Sequence, residues 1–168
     1  MKKLSRKTLT LLTASVLACN CMLCYSFSTS AAGAQKYEFE DGTPVGATIQ
    51  ENGTERWQEG ASGDKFVFLE NGGETATVNV SVESTGMYNV TIRYAAPFGD
   101  KLHNLLVNGV DQGQFSCSET AANEWADVSC GTVKLNAGEN EITVKSSWGW
   151  TDIDYLTIEE ASLPDISA

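Results

Sequence analysis

Residues 75–94 read TATVNVSVESTGMYNVTIRY, and the architecture follows from their spacing. Ala76, Val78, Val80 and Val82 fall on one side of an extended chain, with Thr75, Thr77, Asn79 and Ser81 on the other. This period of two marks a strand buried on one face. Ser84-Thr85-Gly86 supplies turn residues, and the alternation then resumes with Tyr88, Val90, Ile92 and Tyr94 opposite Asn89, Thr91 and Arg93. The two runs are expected to form an antiparallel pair.

The same pattern extends in both directions. Upstream lie Lys36 to Glu40 and Lys65 to Glu70; downstream lie Leu102 to Val107, Val110 to Cys117, Trp125 to Leu135, Asn140 to Lys145 and Ile153 to Glu159. Asn108-Gly109 between two of these runs is a hairpin signal, because a type I′ turn needs positive φ at both central residues. No stretch after residue 34 sustains helical periodicity with caps. Many short strands punctuated by Gly and Asn predict an all-β antiparallel sandwich.

The chain has 168 residues, 42% hydrophobic and 20% charged, with 11 Lys and Arg against 22 Asp and Glu. Collagen-like, coiled-coil and strongly disordered classes are excluded. Residues 1–34 hold four of the cations (Lys2, Lys3, Arg6, Lys7), an apolar stretch from Leu9 to Phe27 and a small-residue end, Ala32-Gly33-Ala34. They read as a signal peptide, and the protein is expected to be secreted. A membrane anchor is the other reading of the apolar stretch, but polar residues and cysteines interrupt it. Val16-Leu17-Ala18-Cys19 also resembles a lipobox, which would anchor a lipoprotein at Cys19. Residues 35–160 then form one domain, and 161–168, with Pro164, a linker or tail. Without the four leading cations the chain is strongly acidic, so nucleic acid is not an expected partner.

Three of the five cysteines lie within the signal. Cys117 and Cys130 remain, and an oxidising compartment would allow them to pair; the alternative is two reduced thiols. His103 is the only histidine, too few for a usual zinc site and without a nucleophile motif beside it, so a structural role is expected.

The acids say more. Glu38 and Glu40 flank Phe39 on one side of an expected strand, and Asp154 shares parity with Leu156 and Ile158. First and last strands of a sandwich are often neighbours, so the three carboxylates could converge on one calcium, an ion that takes six to eight oxygens. A solvated edge and a hydrogen-bonded Asp would also account for them, and a glycosidase pair is a third reading. Trp148-Gly149-Trp150 lies between two expected strands, where two indoles could present flat apolar faces to a sugar ring or fold back over the core.

In order and spacing these features resemble a carbohydrate-binding module of family 35, related to families 6 and 36. Tyr37-Glu38-Phe39-Glu40, Ser62-Gly63-Asp64-Lys65-Phe66-Val67, Gly86 to Tyr94, Val107-Asn108-Gly109, Leu135 to Asn140 and Asp152 to Leu156 carry the likeness. The resemblance implies a jelly-roll sandwich, no catalysis and a structural calcium. Its ligands would be Glu38, Glu40 and Asp154, with backbone oxygens from the Gly60 to Lys65 loop. It also implies sugar binding by loops at one end, through Trp148 and Trp150; beside them Asp152, Phe98, Asp100, Arg93 and Trp57 are expected as polar or lateral contacts. The Ser-Trp-Gly-Trp run is most similar to the branch that accompanies β-mannanases, which makes β-mannan the expected ligand and an appended catalytic domain the expected partner. Uronic acid, galactose-type and xylan ligands are the alternatives within the family. A polysaccharide hydrolase or lyase, or a protein-interaction sandwich, is the alternative outside it.

Overall fold

The computed structural model describes residues 33–54 and 58–162. The signal-peptide reading, Cys19 and Trp57 therefore lie outside the described residues, as does most of the expected tail. Eleven strands occur in order: β1 Gln35–Glu38, β2 Thr43–Val45, β3 Thr48–Glu51, β4 Lys65–Leu69, β5 Thr75–Val82, β6 Gly86–Ala95, β7 Lys101–Val107, β8 Val110–Cys117, β9 Ala126–Leu135, β10 Gly138–Trp148 and β11 Thr151–Glu160. A 3-10 turn, Ser62–Asp64, precedes β4.

These strands form two antiparallel sheets. One runs β3-β4-β11-β6-β9, with β1 also paired to β11; the other runs β2-β5-β10-β7-β8. The apolar sides face each other in a core containing Phe39, Leu69, Val80, Ile92, Leu105, Leu135, Ile142 and Leu156. Each fully buried side chain of this kind contributes roughly 1.5–3 kcal/mol. No described helix is long and apolar enough to cross a membrane.

All nine sequence-expected strands are present, and the Asn108-Gly109 hairpin joins β7 to β8 with φ of 49° and 77°. One pairing is corrected. β5 and β6 do not pair with each other: β5 lies between β2 and β10, and β6 between β11 and β9. Ser84-Thr85-Gly86 carries the chain from one sheet to the other. Alternation identifies the buried face of a strand but not its neighbour.

Bulges place the polar residues that matter. Ile153 pairs with Tyr94 and Leu156 with Ile92, so two residues, Asp154 and Tyr155, stand opposite Arg93. In β10, Ser146 pairs with His103 and Trp148 with Leu102, leaving Ser147 as the extra residue. Ser146 is therefore buried while Ser147 and Trp148 both face solvent.

The expected disulfide is also corrected: Cys117 and Cys130 are free thiols. Cys117 ends β8 in one sheet, whereas Cys130 is the extra residue of a bulge in β9 of the other. The Cys130 thiol faces the Val128 carbonyl of its own strand, 3.9 Å away. Burial pushes both thiols up, so neither is a thiolate at neutral pH.

Candidate carbohydrate site and carboxylate cluster

The loop between β10 and β11 is shaped by backbone first. Gly149 passes so close to Glu70 that a Cβ would run into the Glu70 carbonyl, and only glycine fits. Trp150 then adopts φ 68°, a region costly for a bulky side chain, and its N–H donates to the Leu69 carbonyl at 2.7 Å. The result turns both indoles outward. Trp148 is 63% exposed and Trp150 48%, with Phe98 at 61% beside them.

Edge-on ring contacts fix Trp150, to Phe98 at 5.7 Å and to Phe68 at 6.4 Å between centroids. Trp148 is held by its indole N–H, which donates to the Asp100 carbonyl at 3.1 Å. Lys101 is almost fully buried beneath it; the ammonium lies 5.6 Å from the Trp148 ring centre and donates to the Phe98 carbonyl at 2.7 Å. Between these groups is an open depression of about 540 Å³, lined by Glu70, Asn71, Gly72, Phe98, Lys101, Ser147 and residues 148–150. An apolar wall with polar groups at the rim, neutral apart from Glu70 and Lys101, suits a sugar, whose rings have apolar faces and hydroxyl edges.

Of the sequence-predicted sugar contacts, the structure brings Trp148, Trp150 and Phe98 together. Asp100 contributes its carbonyl to Trp148, while its carboxylate accepts from the Glu119 N–H at 2.8 Å. Asp152 is buried on β11, paired in register with Phe68 and Ala95, and does not line the depression. Arg93 does not line it either. Sequence reasoning missed Phe68, Lys101 and the Glu70 to Gly72 turn, which lie far from the Trp loop in sequence; the β4–β11 pairing brings up Phe68 and the turn, and the β7–β10 pairing brings up Lys101. The glycine between the two tryptophans was the one signal that the backbone there is closely packed.

Arg93 belongs to the second cluster. Its guanidinium donates to Asp154 Oδ2 at 2.5 Å and to the Gly60 carbonyl at 3.2 Å, and it lies over Trp125 and Tyr155. Glu38, Glu40 and Asp154 each offer an oxygen within 4.8 Å of the others. The β1–β11 pairing makes this meeting possible, closed by the Phe39 N–H to Asp154 carbonyl bond at 3.0 Å. The Gly60 to Lys65 loop folds over the acids. Ser62 N–H donates to both Asp154 oxygens at 3.1 Å, and its hydroxyl donates to Glu38 Oε1 at 2.7 Å. Lys36 pairs with Glu38 at 2.6 Å. Lys65 itself begins β4, and its ammonium is 3.9 Å from Glu51.

Two buried oxygens, Glu38 Oε2 and Glu40 Oε2, have no protein partner. Burial, with Glu38 and Asp154 nearby, pushes the Glu40 carboxyl up to about 7. Asp154 is raised by burial despite the opposing Ser62 and Arg93 contacts. Buried carboxylate oxygens without a protein partner are chemically suited to a hard cation, which takes oxygen ligands, and the spacing of the three acids fits one.

Behind the Trp loop, His103 is fully buried on β7. Its Nε2 lies 2.9 Å from the Thr151 hydroxyl, and its Nδ1 and the facing Ser146 hydroxyl have no protein partner. Burial, reinforced by Lys101, holds the imidazole down at about 4.

The model of the family described as "Carbohydrate binding module (family 35)" matches residues 35–161. Mannan endo-1,4-beta-mannosidase B of Piromyces sp is 38% identical over 138 residues, 82% of this chain and 23% of that protein. The Podospora anserina GH26-CBM35 beta-(1,4)-mannanase structure is 32% identical with a TM-score of 0.67, covering 79% of this chain and 29% of that one. A family 35 carbohydrate binding module from Clostridium thermocellum, 24% identical, shares the fold at a TM-score of 0.67 over 77% of this chain and 100% of its own. The chain thus spans less than a third of each of the two mannanases it matches. It belongs to the family 35 carbohydrate-binding modules, non-catalytic domains that hold a carbohydrate.

Proposed function

We propose that this module binds β-mannan and carries an enzyme or surface assembly to it. The observation behind this reading is the pair of exposed indoles, Trp148 and Trp150, set by one glycine above a depression with a mostly neutral rim. The names of the matched relatives, a mannan endo-1,4-beta-mannosidase and a beta-(1,4)-mannanase, favour mannan as the polysaccharide and a mannanase as the appended catalytic domain. Glu70 at the rim and the acid excess of the whole chain weigh against polyuronate. The composition of residues 1–34 supports export, so the complex would act outside the cell, with the Cys19 lipobox an alternative anchor.

Calorimetry of residues 35–160 against galactomannan, glucomannan, xylan and polygalacturonate tests the reading, with Trp150→Ala beside wild type. Binding of the two mannans, lost in the variant, is the expected result. Preference for xylan or polygalacturonate would move the ligand within the family, and a folded sample that ignores every glycan would shift weight to a protein partner.

A second reading concerns the acids. We infer that Glu38, Glu40 and Asp154 hold one structural calcium, supported by their two unpartnered buried oxygens and by ligand atoms all within 4.8 Å of one another. Backbone oxygens of the Gly60 to Lys65 loop are the nearest source of further ligands.

A further inference from the structure

The depression does not end at Trp148. Ser147, on its rim, donates its hydroxyl to Asn104 Oδ1 at 2.6 Å on the neighbouring strand β7. Gln114 on β8 donates its amide to the same oxygen at 3.4 Å. A hydrogen-bonded line of neutral side chains therefore crosses three strands, from the rim outward over the exposed face of the five-stranded sheet. Parallel to it runs the row Trp148, Leu102, Ser116, in direct register across β10, β7 and β8. Leu102 is exposed at 36%, so an apolar step continues the face of Trp148.

The β10 bulge makes this surface. An unbroken pleat would send Trp148 inward after Ser147; the extra residue keeps both outward, one on each row. The six residues Ser147, Asn104, Gln114, Trp148, Leu102 and Ser116 carry no formal charge. Two charged side chains adjoin these six: Lys145, exposed on β10 in direct register with Asn104, and Asp111, which accepts from the Asn104 amide at 2.8 Å. An uncharged track with apolar and amide groups side by side, in an acidic protein, is matched to a neutral polysaccharide rather than to a charged partner.

We propose that the strip is an extension of the sugar site, so that the ligand is the interior of a mannan chain leaving the depression over Trp148. This rests on the mannan reading above. Two strand spacings, about 10 Å, give room for roughly two further sugar rings. Each would add an amide or hydroxyl contact and some apolar area, a modest increment per ring because hydroxyls exchange water for protein.

The test is calorimetry with manno-oligosaccharides of two to six units, for wild type, Asn104→Ala/Gln114→Ala, and Trp150→Ala. Gln114→Ala alone, at an exposed position, serves if the double variant is destabilised. In wild type, affinity should keep rising to the longest oligosaccharide. In the double variant it should stop rising earlier, falling about five-fold for the hexamer, with the dimer unchanged. An unaltered length dependence in a folded variant would overturn the strip while leaving the Trp site standing. A wild-type protein that binds no oligosaccharide would remove both. Equal loss for dimer and hexamer would place Asn104 and Gln114 within the depression's own support and also overturn the extension.

Discussion

Trp150 sits in a conformation that favours glycine, and that makes function and stability separable at one residue. At φ 68° a non-glycine residue costs about 1–2 kcal/mol. Trp150→Ala and Trp150→Gly both remove the indole and its contacts to Phe68 and Phe98, but only glycine relieves the backbone. The glycine variant should be more stable than the alanine variant by about 1 kcal/mol in urea unfolding, while both lose mannan binding at least ten-fold. Equal stabilities would mean that the loop relaxes around alanine and stores no strain. His103 gives a second separable effect. Its imidazole titrates near 4 when folded and near 6.5 when unfolded, so between those values the unfolded chain takes up the proton and the folded one does not. Stability then rises with pH across that window, by about 3 kcal/mol for this one group. Glu40, lifted to about 7, contributes with the opposite sign when no cation is present. The difference between wild type and His103→Gln, followed by thermal unfolding from pH 4 to 7, isolates the histidine. A flat difference across that range would show that His103 is not held neutral.

At the scale of elements, the loop between β10 and β11 depends on one close approach. Gly149→Ala places a methyl group against the Glu70 carbonyl, which belongs to the turn after β4. The variant should keep its sheets by circular dichroism but lose most mannan affinity, because loop and turn separate and carry Trp148 and Trp150 with them. Retained affinity would show that the aromatic pair tolerates a shifted backbone. This scale also explains what was legible in the sequence. Alternation marked strands such as Thr75–Val82 because one face of each is core, and Asn108-Gly109 marked its hairpin because few residues accept positive φ. The short strands Thr43–Val45 and Thr48–Glu51 are too brief for a period to show. Arg93 was expected among the further sugar contacts; its guanidinium instead sits on Asp154, beside a bulge at Asp154-Tyr155 that is invisible to a period of two. Asp152 follows Trp150 by two positions, yet it is buried within β11, flanked by Phe68 and Ala95 on the neighbouring strands. The acids at the two ends of the chain were legible as a cluster because β1 and β11 pair.

For the whole molecule, the carboxylate cluster ties the chain's first strand to its last. A cation that binds only the folded state stabilises it by mass action, about 2.7 kcal/mol at a hundred times its dissociation constant. At roughly 4 °C per kcal/mol for a domain of this size, calcium should raise Tm by about 10 °C over a chelated sample. The shift should grow with the logarithm of calcium concentration, which separates binding from a general salt effect. Glu40→Gln removes one charge from the set without a change of volume, so it should abolish most of the calcium response. It should also raise the Tm of the metal-free protein, since a neutral amide no longer faces Glu38 and Asp154 as a third buried acid. Identical melting curves with calcium and with chelator, in wild type, would leave Lys36, Arg93 and Ser62 as sufficient partners for Glu38 and Asp154, with Glu40 protonated beside them, and end the case for a metal.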